Sequence, residues 1–226
     1  MSGIGRGCRG GDRDPVEWLT GSVRCTTRSG LASRGPRDDH RCMTTALLVI
    51  DVQESFRARA DWERVDNPRI GDQVERLVSA ARRNGEAVFW VLHSEPGTGG
   101  VFDPTLGHVR VFDELSPDPE EPVIVKTSAN AFTTTGLQQQ LVQRGVGAVV
   151  VCGIRTDQCC ETTARVASDL GFDVTFVTDA TTTSGVDGLS AREIIERTER
   201  VLAAREFATI ATTDEVVAAA AVNAMA

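Results

Sequence analysis

The chain has 226 residues, 41% of them apolar and 25% charged, which fits one α/β domain with spare length and excludes a coiled coil, a collagen-like repeat or wholesale disorder. The formal charge is −8 and unevenly spread: residues 1–42 hold 8 Arg and 5 acidic residues, so 16 basic and 27 acidic residues, a charge of −11, fall on the remainder. An acidic folded part repels polyanions, which argues against nucleic acid and anionic membrane as partners.

Residues 1–42 are rich in Gly, Arg, Ser and Asp, with no apolar periodicity beyond VEWL at 16–19, and read as a disordered extension or a mis-assigned start ahead of Met43. No run approaches the roughly 18 apolar residues of a membrane span, and the first 30 residues lack the apolar core of a signal peptide. From Thr44 onward, β-branched runs alternate with helical patterns. ALLVIDV at 46–52 is a near-continuous apolar run, as expected of a strand buried on both faces of a parallel sheet. Ile70, Val74, Leu77, Val78 and Ala81 recur at helical spacing, and Asn84-Gly85 supplies a stop.

AVFWVLH at 87–93 reads as the next strand, and the Gly- and Pro-bearing segment 94–122 is too long for a simple connector and is expected to shape a site. A strand follows at 123–126, a helix at 134–144, a strand at 148–153, a helix at 157–170 and a strand at 173–179. A helix at 190–204, a strand at 208–212 and a short helix capped by Thr213 complete the pattern. Six strands alternating with helices imply a three-layer α/β/α sandwich around a mostly parallel sheet, one domain over 43–226.

Of the 24 basic residues only Lys126 is a lysine. A compact ammonium with a tunable pKa does what a broad, permanently charged guanidinium cannot, so the exception marks a candidate site; chance survival on a surface is the bland alternative. The cysteines of the folded part, at 152, 159 and 160, fall within nine residues. Adjacent Cys159 and Cys160 cannot bridge without strain, so a reducing, cytoplasmic setting is expected. Ligands of an open parallel sheet gather beyond the carboxyl ends of its strands. Asp51, Lys126 and Cys159 all fall there, and a carboxylate, an ammonium and a thiol on one rim make a nucleophilic site. Cys159 is expected in the first turn of a helix, whose positive end would lower the thiol pKa. Cys152 and Cys160 read as packing residues.

IDVQ at 50–53, K-x-x-x-x-A-F at 126–132 with Thr135 and Leu137, and GIRTDQCCETT at 153–163 resemble the isochorismatase-like cysteine hydrolases over about residues 44–220. The resemblance implies a catalytic triad of Asp51, Lys126 and Cys159. It also implies a cis peptide between Ile154 and Arg155, and an oxyanion hole from the backbone N–H groups of Arg155 and Cys159. Family members that cleave a vinyl ether generally lack the cysteine, so the amidase branch is implied, whose members act on nicotinamide, N-carbamoylsarcosine, ureidoacrylate, biuret or maleamate. Metal-dependent members carry Asp-x-His; here WVLHSE at 90–95 offers only His93, and His108 lies too far along to place, so neither metal nor cofactor is expected. Gln53, Phe132 and the unusual Arg155 are candidates for contacting a small-molecule substrate, with Phe132 as plain core and a solvent- or subunit-facing Arg155 as rivals. Related enzymes are dimers or tetramers, so a homodimer or homotetramer is expected.

The alternatives are a vinyl-ether hydrolase or a catalytically silent ligand-binding member. A dinucleotide-binding domain lacks its glycine loop in VIDVQESF, and a redox domain lacks C-x-x-C.

Overall fold

A computed structural model describes residues 44–223; the expectations for residues 1–42 lie outside them. The apolar runs form six strands, β1 (Thr44–Ile50), β2 (Ala87–His93), β3 (Val123–Lys126), β4 (Val146–Ile154), β5 (Asp173–Thr182) and β6 (Thr209–Ala211). They make one parallel sheet in the order β3-β2-β1-β4-β5-β6. The central strand β1 has Ala46 through Ile50 at 2% exposure or less, because helices cover both faces. The strand order reverses between β1 and β4, which opens a crevice at their carboxyl ends.

Helices α1 (Glu54–Arg57), α2 (Ile70–Arg83) and α6 (Thr213–Asn223) lie on one face. There Ile70, Val74, Leu77 and Val78 of α2 pack with Leu47, Val49 and Trp90. On the other face, α3 (Leu137–Gln143), α4 (Glu161–Asp169) and α5 (Ala191–Ala204) bring Leu137, Leu141, Ala164 and Leu202 against Leu48, Ile50, Phe89 and Val151. The expected three-layer sandwich is therefore the observed one.

Several boundaries differ for local reasons. β1 stops at Ile50 because Asp51 turns into the left-handed region at φ 54. α3 starts at Leu137 rather than 134: Asn130 and Thr135 side chains accept from the backbone N–H groups of Phe132, Thr133 and Leu137, and these local bonds compete with a helix. The expected helix at 157–170 begins instead with a π-turn at Thr156–Cys160, in which the Cys160 N–H reaches the Arg155 carbonyl. The cap of α6 is Thr212, which exchanges bonds with Glu215, while Thr213 donates to Asp179. The long segment after β2 does more than surround a site. It sends Phe102, Phe112 and Leu115 into the core beside α2, and Val111 bridges to Gln53.

Candidate active site

The site is built where β1 and β4 separate. Gly153 has φ 128, and a Cβ there would stand 1.9 Å from the Ile50 carbonyl oxygen. Only glycine lets β4 close on the end of β1 at this point. The chain then passes through a cis peptide between Ile154 and Arg155 into the π-turn that carries Cys159. On the β1 side, Asp51 takes its left-handed turn with its N–H on the Val91 carbonyl at 2.7 Å, so its carboxyl is delivered to the strand ends.

The three side chains singled out from the sequence meet here. Lys126 and Asp51 are both fully buried, with Nζ 2.8 Å from Asp51 Oδ2. Nζ also donates to the Ser128 carbonyl at 3.1 Å and to Cys159 Sγ at 3.5 Å. One small tetrahedral ammonium thus serves three acceptors in a space with no solvent, which explains why the lone lysine stands here. The Lys126 ammonium and the Cys159 thiol both face the Asp51 carboxyl, and each favours its ionised form against the effect of burial.

The charges behave differently from the sequence expectation. Burial, reinforced by the negative charge of Asp51 and opposed by Lys126, pushes the Cys159 thiol up to about 12 instead of down. The α-helix behind it starts only at Glu161, two residues past the 6% exposed Cys159. Burial also holds the Asp51 carboxyl above its ordinary range, against the pull of Lys126. Burial thus raises the thiol and the carboxyl together.

The other candidates fare unequally. Gln53 is fully buried, and its amide is spent inside the protein. Nε2 donates to Ser55 Oγ and to the His93 carbonyl, both at 2.9 Å, while Oε1 accepts from the His93 N–H at 2.6 Å. Gln53 thus has no donor left for a ligand, and it ties the end of β1 to that of β2. Phe132 is core, stacked on Phe172 with centroids 6.3 Å apart. The Arg155 guanidinium is neither in solvent nor free for a substrate carboxylate. It pairs with Asp61 at 2.6 Å, donates to Ser184 Oγ and lies over Phe56. Among the described residues no group of three or more His, Cys, Asp and Glu is placed to hold a metal ion.

Residues of the segment that starts at Thr181, together with Asp61, frame the turn that carries Cys159. Thr156 bonds Thr181, Asp157 accepts from Thr183, and Arg155 donates to Ser184, so three successive residues at the start of the turn are pinned by one run at the end of β5. The cue was TTTS at 181–184, four hydroxyl residues spanning the end of a buried strand; all are less than 9% exposed. Asp61, 94 residues from Arg155 in sequence, had no cue. A hollow of about 660 Å³ lies at the opposite end of the sheet, beside Thr45, Ala148, Asp173, Ala80 and Val216, away from these groups. Parallel sheets bind at the other end.

Comparison with known proteins agrees with this picture. The isochorismatase domain model matches residues 45–215. The isochorismatase family protein YrdC of Bacillus subtilis (strain 168) is 28% identical over 176 residues, covering 76% of this chain and 94% of its own. Nicotinamidase 3 of Arabidopsis thaliana is 32% identical over 158 residues, covering 64% and 76%. The crystal structure of an isochorismatase from Pseudomonas putida KT2440 superposes with a TM-score of 0.70 at 27% identity, covering 89% of this chain and 97% of that one. The chain belongs to the isochorismatase family.

Proposed function

We propose that the protein hydrolyses the C–N bond of a small amide or ureido compound through a thioester on Cys159. The observation that carries this reading is the buried Asp51–Lys126–Cys159 cluster at the open end of the sheet. The likeness to a nicotinamidase supports amide chemistry.

Asp51 removes the thiol proton as sulfur attacks the carbonyl carbon, so a free thiolate never accumulates. Its raised basicity narrows the gap to the thiol and makes that transfer less uphill. The carbonyl π pair moves to oxygen, which the backbone N–H groups of Arg155 and Cys159 receive. Collapse expels the amine, protonated by Asp51, and leaves the acyl thioester. Water then gives its proton to Asp51 and attacks; the carboxylic acid leaves, and sulfur regains the proton. The sum is one amide and one water to one acid and one amine. Lys126 orients Asp51 and balances its charge whenever it is ionised. With Cys159 only 6% exposed, the acyl group that reaches it is small.

The test is mass spectrometry of the protein after brief exposure to a library of small amides and ureides. An acyl adduct on Cys159, with ammonia release lost in Cys159→Ala and kept in Cys160→Ala, is the expected outcome. An unmodified Cys159 with no turnover in the library would sink the proposal and favour a silent ligand-binding role.

A further inference from the structure

His93 ends β2 directly beside Lys126 in the strand register, and the adjacent Ser94 N–H bonds the Lys126 carbonyl at 2.9 Å. Its backbone is gripped on both sides by the Gln53 amide, and its ring stands edge-on to Phe102 with centroids 5.4 Å apart. The side chain is thus held rather than free. Nε2 lies 3.2 Å from Glu95 Oε1. A carboxylate only accepts, so in the neutral ring Nε2 carries the proton and Nδ1 is left as a lone-pair acceptor. That Nδ1 is buried and has no partner among the described residues.

A buried acceptor with nothing to accept from is costly in a folded protein and calls for a complement. Asp51, at the end of the neighbouring strand β1, is by contrast already paired with Lys126. At the end of β2, beside this pair, the site therefore offers one buried acceptor that lacks a donor. The ligand chemistry that completes it carries an N–H group next to a carbonyl. An amide or ureide has one; an ester of the same acid does not.

We propose that His93 is a substrate-contact residue whose Nδ1 accepts an N–H of the amide or ureido group, so that the site selects N–H-bearing substrates over esters. The proposal rests on the C–N hydrolase reading above. Glu95 fixes the ring's tautomer and Gln53 its position.

The test uses the full chain and small primary amides, each paired with the methyl ester of the same acid. His93→Phe keeps an aromatic ring but removes the lone pair. His93→Gln places an amide toward Glu95 and leaves the Nδ1 position unfilled, whereas His93→Asn puts a carbonyl oxygen close to where Nδ1 stood. The Phe and Gln variants are expected to lose roughly tenfold in kcat/KM on amides with ester hydrolysis kept, and Asn to recover most of the loss. Equal losses on amide and ester, or an Asn variant as impaired as Gln, would overturn the role of Nδ1 while leaving the hydrolase intact. Wild-type protein that turns over neither class and forms no adduct on Cys159 would instead remove the hydrolase reading, and this one with it.

Discussion

Gly153→Ala is the sharpest probe of how the site is assembled. The added Cβ would lie 1.9 Å from the Ile50 oxygen, 2.7 Å from its carbon and 2.8 Å from its nitrogen, all backbone atoms of the central strand. Nothing flexible can swing aside, so β1 and β4 must part where Asp51 and Cys159 are brought together. The φ of 128 adds a conformational penalty of about 1–3 kcal/mol for a residue with a Cβ. Forced overpacking adds about another 1–3 kcal/mol. A total of roughly 2–6 kcal/mol lowers the melting temperature of a domain this size by about 4–24 °C. Gly85→Ala is the control, since its φ is 67 but nothing lies within 4 Å of the added atom. It bears only the backbone penalty, about 1 kcal/mol or a few degrees. Thermal melts and amide turnover of the two variants decide the matter. If Gly153→Ala melts no lower than Gly85→Ala and keeps its activity, the close approach of β4 to β1 is not what builds the site.

Other consequences are equally direct. Because the Cys159 thiol is pushed up to about 12, its alkylation by iodoacetamide, followed at that peptide by mass spectrometry, should rise about tenfold per pH unit through the alkaline range with no plateau near neutrality; a plateau near pH 7 would mean a stabilised thiolate. Lys126→Arg forces a larger, planar cation into a fully buried space with three acceptors, so kcat should fall by about 100-fold or more, and a fully active variant would strip Lys126 of its role. Asp61 is held down to about 2, first by Arg59 and then by Arg155. The carboxylate's contribution is therefore present above its ordinary value of 3.8 and lost as pH falls toward 2, so acid titration of stability should show the gap between wild type and Asp61→Asn closing over that interval. The same variant releases the Arg155 guanidinium and should lower kcat several-fold; unchanged turnover would detach Arg155 from the catalytic turn.

The division between what could be read in the sequence and what could not follows the range of the forces involved. Strand and helix identity is local: alternation of apolar runs with helical spacing was enough to place all six strands within a few residues. The cluster of Asp51, Lys126 and Cys159 was also legible, since parallel topology sends every strand's carboxyl end to the same rim. The misplaced starts of α3 and α4 come from short-range competition, side chains bonding the backbone near 130–135 and a five-residue hydrogen-bonded turn at Thr156–Cys160. What escaped was whatever depends on partners far along the chain. Arg155 finds Asp61 and Ser184, Gln53 finds His93, and the thiol's protonation is set by how completely the fold buries it. Position near a helix start carries no information about that burial, which is the first cause of the shift.

That reversal bears on how the site works. A low thiol pKa would make Cys159 a standing nucleophile, open to any oxidant or electrophile that reached it. In the proposed mechanism the thiol beside Asp51 instead gives up its proton only as sulfur bonds to the carbonyl carbon. Such a scheme tolerates little misalignment: Asp51, Sγ and the acceptor N–H groups must be in position before substrate arrives. The ties around the turn meet that requirement. Thr181, Thr183 and Ser184 hold residues 155–157 from the β5 side, Asp61 holds Arg155 from the loop after α1, and Lys126 spans Asp51 and Cys159. Rate in this protein is therefore expected to depend less on the intrinsic reactivity of its cysteine than on the rigidity of the ring of polar contacts around it.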